Sequence, residues 1–171
     1  GRTAAMGSVL DAWAAESPKE AAQYIGKLPP GLEQERGTKA VISSMVAADP
    51  GYTANWISQF PEGSLRDEAT QTLVNQWSRE DPVATATWLN SVPAGKGRED
   101  AVASFANSLA PHEPATAWNW AGTLGDAEKQ NAALENAGRQ WMRVDENAAR
   151  TAIENSPLPT HVKDRLLKGG G

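Results

Sequence analysis

Three tryptophans, Trp56, Trp88 and Trp120, stand 32 residues apart in a chain that holds seven. Indoles at a fixed interval could stack on sugar rings or on a partner's side chains. Acids recur at the same interval: Asp49, Asp81, Glu113 and Asp145 each precede the start of a new period. Arg66 and Arg98 share one more position, with Gln34 and Gln130 as their equivalents. An arginine row could hold anions. The recurrence of Asp in step with Arg favours a ladder of Asp–Arg pairs that joins successive periods. A third set is polar and mildly acidic: Asp67, Glu68, Gln71 and Asn75, then Glu99, Asp100 and Asn107. Such a face suits a polar or basic peptide, and any one of these residues also suits a solvated helix surface.

Catalytic chemistry finds no support. Asp67-Glu68 and Glu99-Asp100 are adjacent residues, so on a helix they point about 100° apart and form no acid/base pair. No Gly-x-Ser-x-Gly, P-loop or His-Glu-x-x-His occurs. Gly95-Lys96-Gly97-Arg98 lacks the P-loop spacing and follows a helix rather than a strand. His112 lies in the prolyl loop Ala110-Pro111-His112-Glu113-Pro114, and His161 opens the last helix. With two distant histidines and no cysteine, neither a metal centre nor a disulfide framework is expected. No cofactor is implied.

These residues need elements to position them, and the periodicity supplies the elements. Pro18, Pro50, Pro82 and Pro114 are each 32 apart, and Glu146 takes the next place. Pro29, Pro61 and Pro93 keep the register, Gly31, Gly63 and Gly95 follow them, and Gly125 breaks the prolyl run before Pro157 restores it. Trp13, Met45, Trp77, Leu109 and Trp141 share a further position, as do Ile25, Ile57, Leu89, Ala121 and Ile153. Repeats therefore start near residues 17, 49, 81, 113 and 145.

Each period predicts two helices. The first, A, opens on Ser/Asp-Pro, where the acid or hydroxyl caps an orphan N–H and the proline presets φ. Ser17-Pro18-Lys19-Glu20 looks like a capping box. Helix A should end after about ten residues at Pro-x-Gly. Ser64-Leu65-Arg66-Asp67 looks like the capping box of the second helix, B. Apolar residues step by three in A (Ala54, Ile57, Phe60) and by four in B (Ala69, Leu73, Trp77), a helical and not a strand period. Eleven helices follow: a leading B near 3–15, four A–B pairs, a closing A near 146–155, and a last helix near 160–168. Trp77 and Trp141 lie in the apolar stripe of B and should be buried. Trp118 interrupts the column of Ala22, Ala54 and Ala86 and should be partly exposed.

The fold class expected is all-α, a right-handed α-solenoid of about five helix–turn–helix repeats in one domain spanning 1–171. Gly1-Arg2 and Gly169-Gly170-Gly171 are set aside as appended residues. From about Val9 to Pro157 the pattern resembles the HEAT and tetratricopeptide class of helical repeats. It is also similar to Trp/Asp-Pro repeat segments of bacterial proteins of unassigned role. The period is shorter than is usual for HEAT or tetratricopeptide repeats, and the tetratricopeptide signature is absent. The resemblance implies a helical-repeat fold and speaks only weakly to function.

Composition narrows the partners. Sixteen Lys and Arg against 21 Asp and Glu leave −5, which argues against nucleic acid. No apolar run spans a membrane. No secretory leader is legible, and the composition suits a bacterial chain, cytoplasmic or exported to the envelope. The expectation is a non-enzymatic, monomeric scaffold that binds a protein or peptide, a basic one included, on the polar face of the B helices. The alternative is glycan or cell-wall binding through an exposed Trp column.

Overall fold

A computed structural model describes residues 2–169. Eleven helices run through the described residues: α1 (Arg2–Glu16), α2 (Pro18–Gly26), α3 (Leu32–Met45), α4 (Pro50–Ser58), α5 (Ser64–Glu80), α6 (Pro82–Ser91), α7 (Lys96–Leu109), α8 (Pro114–Gly122), α9 (Ala127–Val144), α10 (Glu146–Glu154) and α11 (Thr160–Lys168). The chain divides into two compact units, residues 1–85 and 86–171. In the first unit, α3 packs between α1 and α5, with α2 laid against α1 and α3 and α4 against α5. In the second, α9 takes the central place, bounded by α7, α8, α10 and α11. Within each unit, successive B helices are therefore neighbours.

The 3.6-residue stripes become the interior. Leu10, Ile25, Ile42, Met45 and Leu73 are buried in the first unit, and Leu89, Phe105, Leu134 and Ile153 in the second. Trp77 is buried as its stripe requires, whereas Trp141 is only half-buried.

Asp at the start of A does what its chemistry allows. Asp49 Oδ1 accepts from the Tyr52 N–H at 3.0 Å, Asp81 Oδ1 from Ala84 at 2.9 Å and Asp145 Oδ1 from Ala148 at 3.2 Å. Lys19 sits 3.3 Å from Asp49, and the Tyr52 N–H together with Lys19 lowers the Asp49 pKa from its ordinary 3.8. Ser17 and Glu113 hold the same place but cap nothing with their side chains. The expected Ser17 capping box is thus not formed.

The B helices start differently from the expectation as well. Ser64 is the first helical residue, not the cap; the cap position belongs to Gly63. Gly31, Gly63 and Gly95 share one conformation, with φ of 156°, 157° and 154° and ψ within a few degrees of 180°. That region is essentially open to glycine alone. The repeating glycine therefore sets the angle at which A hands over to B. At α9 the glycine's register position is taken by Ala127, already the first helical residue, and the chain uses another device: Asp126 in extended conformation accepts from the Lys129 N–H at 2.9 Å.

The Asp–Arg ladder is replaced by something more local. Arg66 Nη1 donates to the Phe60 carbonyl at 3.4 Å, and Arg98 Nε to Leu89 at 3.2 Å. Gln34 Nε2 donates to Leu28 at 3.1 Å and to Ile25 at 3.3 Å, and Gln130 Nε2 to Gly122 at 3.1 Å and Leu124 at 3.2 Å. In the closing hairpin the register places Val162, and Lys163, one position on, reaches the Glu154 carbonyl with its Nζ at 3.0 Å. The column is thus a set of donors to carbonyls in and just after the last turn of helix A, the end at which a helix runs short of its own donors. A cation that looks misplaced at the start of B is well placed at the negative end of A. Arg98→Met should lower stability by about 1 kcal/mol, the worth of one such bond. A urea unfolding midpoint unchanged from that of the parent would contradict this role.

Candidate functional site on the second helices

The polar residues singled out from the sequence meet different fates in the two units. On α5, Glu68 and Gln71 are exposed, whereas Asp67 and Asn75 are half-buried and already engaged. On α7 the three candidates tie α7 to α9 and its loop. Both Glu99 oxygens accept from the Gly125 N–H, at 3.0 and 3.1 Å, and Oε2 also lies 3.5 Å from the Asp126 N–H. Glu99 thereby closes the loop where glycine replaces the recurring proline. Asp100 Oδ1 accepts from Lys129 Nζ at 2.6 Å, and Asn107 Oδ1 from Asn136 Nδ2 at 3.0 Å.

The Asp100 carboxylate raises the Lys129 pKa above its ordinary 10.5. A raised lysine contributes stability that is full below 10.5 and is lost as pH rises through the folded value. Alkaline unfolding of the parent should therefore show an extra loss above that pH. Asp100→Asn should remove this component, and identical alkaline profiles for the two proteins would contradict the pairing.

The tryptophans are not equivalent. Trp56 is 7% exposed, and its Nε1 donates to the Ala22 carbonyl at 3.1 Å, so its ring joins α4 to α2 and offers no face to a sugar. Its neighbour Phe60 packs edge-on at 5.0 Å. Trp88 and Trp120 are half-buried, and Trp120 meets Phe105 edge-on at 5.3 Å. Trp118 is half-buried, as its place outside the alanine column implied, and lies 6.0 Å from Trp141.

Two grooves open beside B helices, one in each unit. In the first unit a groove of about 590 Å³ lies between α1 and α3, lined by Gly7, Ser8, Asp11, Arg36, Lys39 and Ser43 among others. A Cβ on Gly7 would approach the Arg36 guanidinium to 3.3 Å, so a small residue keeps this groove open. In the second unit a groove of about 630 Å³ lies among α9, α10 and α11, lined chiefly by Glu135, Arg139, Arg143, Glu146, Arg165 and Leu166. Glu135 serves two arginines, Arg165 at 2.6 Å and Arg139 at 3.6 Å, and Glu146 is held by Arg150 at 2.9 Å. Among the described residues Arg143 has no hydrogen bond or ion pair.

The two grooves share two positions of the register, Gly7 with Glu135 and Asp11 with Arg139, each four periods apart, and differ in their other lining residues. None of these lining residues belongs to the polar set singled out from the sequence, and they carry no motif. Only the direction of the side chains off neighbouring helices brings them together.

Comparison with protein-family models, curated proteins and solved structures gives no match to this chain. No helix among the described residues is long and apolar enough to cross a membrane.

Proposed function

We propose that this chain is a non-catalytic scaffold that binds a protein or peptide along its B helices. In this reading about five helix–turn–helix repeats stack as a right-handed α-solenoid of the HEAT or tetratricopeptide kind. The observation that carries the proposal is a polar groove beside a B helix in each unit, between α1 and α3 in the first and among α9, α10 and α11 in the second. Open polar grooves along helices suit an extended or helical segment rather than a compact metabolite. Capped and carbonyl-tied hairpins hold their walls in place, so little ordering cost is added on binding.

The side chains on offer are of mixed sign. Lys39, Arg139 and Arg143 stand in the grooves, and Glu68 and Gln71 are free on α5. This broadens the basic peptide expected from the acidic columns, because Glu99 and Asp100 already have partners.

The test uses peptides selected on the purified chain from a displayed random library. Two variants obstruct the grooves, Ser43→Trp in the first and Arg139→Glu with Arg143→Glu in the second. At least one should weaken each selected peptide about tenfold or more, the scale of losing a central contact. Peptides that bind both variants as they bind the parent would overturn the proposal. Iodide quenching adds a check on the glycan alternative: Trp56 should be protected, since its ring is buried.

A further inference from the structure

The two grooves differ in what their charges do. In the second, Glu135 holds Arg165 at 2.6 Å and Arg139 at 3.6 Å, so most of its charge is engaged within the fold. In the first, the charges are left over. Asp11, Arg36 and Lys39 all line the groove of about 590 Å³ between α1 and α3. Among the described residues their side chains make no hydrogen bond and no ion pair, even with one another. Arg36, Lys39, Ala40 and Ser43 follow one another at steps of three, one and three, which places them in a single stripe of α3. The Arg36 guanidinium lies over Gly7 of α1, where a Cβ would come within 3.3 Å of it. Asp11 stands about one turn further along α1.

The hydroxyls of this groove are left over as well. Thr38 donates to the Gln34 carbonyl at 2.7 Å, Thr70 to Arg66 at 2.8 Å and Thr72 to Glu68 at 2.9 Å, each one turn back in its own helix. Ser43 and Ser44 line the groove and make no such bond. Gly7 and Ala40 add lining without filling the space.

We infer that this groove takes an Asp or Glu side chain of the bound segment, with its carboxylate between Arg36 and Lys39. The inference rests on the reading of the B helices as a peptide-binding face. A guanidinium fork meets a carboxylate through two parallel N–H bonds, and the lysine ammonium adds a compact charge beside it. Ser43, one turn beyond Lys39 on the same stripe, supplies a free hydroxyl donor. Two cations against one acid leave the groove at +1 in a chain of net charge −5. One carboxylate neutralises that charge. A phosphoryl group, with up to two negative charges, exceeds it and meets the repulsion of Asp11.

The test uses peptides selected on the purified chain that Ser43→Trp weakens. Each Asp and Glu of such a peptide is replaced in turn by its amide. One replacement should weaken binding to the parent about tenfold, and Lys39→Glu protein should bind the original peptide less tightly by a similar factor. Changing that same acid of the peptide to Lys should restore binding to Lys39→Glu protein, which a misfolded variant could not do. Amide replacements without effect, or no recovery in the exchanged pair, would overturn the inference and leave the groove standing as a ligand face. Tighter binding of a peptide with phosphoserine at that place would overturn it too. If no selected peptide is weakened by Ser43→Trp, the inference falls with the first groove, and the scaffold reading rests on the second alone.

Discussion

Trp118→Ala is expected to lower the unfolding free energy by about 2–3 kcal/mol, below the range for a fully buried tryptophan because the ring is half exposed. The reason lies in a pair of exchanges. Trp118 stands where Ala22, Ala54 and Ala86 stand, and Gly138 where Ile42, Val74 and Ala106 stand. A large residue has entered the A column and the smallest has entered the B column. A Cβ on Gly138 would lie 3.1 Å from Trp118, 3.4 Å from Leu166 and 3.6 Å from Ile153. Gly138→Ala alone gains up to about 1 kcal/mol of helix propensity and meets an overpacking cost of about 1–3 kcal/mol, so a small net loss is expected. In the Trp118→Ala background the clash is gone and the methyl group fills part of the space. The same Gly138→Ala change should then stabilise. Urea unfolding of the four proteins should give a coupling of about 1 kcal/mol or more. Additive effects would show that the two exchanges are unrelated.

Gly95→Ala is the second large effect, a loss of about 1–3 kcal/mol. Its φ of 154° is closed to a Cβ on backbone grounds, although no atom lies within 4 Å of where that Cβ would stand. Gly97, two residues on, provides the contrast. It lies inside α7 with open space around it and an ordinary φ. Gly97→Ala should stabilise by up to about 1 kcal/mol, through helix propensity and a less flexible unfolded chain. Opposite signs at two glycines so close in sequence would isolate backbone conformation from packing. Equal signs would refute the role given to the Pro-x-Gly turn.

The helices were legible because their signals are local and repeated. Prolines at N1, apolar steps of three and four and a glycine after each A helix all act within a few residues. The errors arose where one residue type serves two geometries. Ser64 resembles a cap, but the extended glycine before it takes the cap position, and Ser64 begins the helix proper. Arg66 resembles an acid's partner, but it donates to the Phe60 carbonyl just after helix A. Glu99 and Asp100 resemble a free acidic face because their partners, the Gly125 N–H and Lys129, lie 26 and 29 residues further along. The buried role of Trp56 depends on one indole N–H reaching a carbonyl 34 residues back, which no local pattern encodes. The grooves were illegible for the same reason, since they are spaces between helices rather than sequences.

The central claim is that the B helices, not the A helices, form the ligand face. The most direct test is a ¹⁵N–¹H correlation spectrum of the protein titrated with a peptide selected on it. The account predicts shifts concentrated at groove residues such as Ser8, Asp11 and Ser43, or Glu135, Arg139 and Arg143. Shifts concentrated instead on the A helices around Trp88 and Trp120, with the groove amides unmoved, would contradict it.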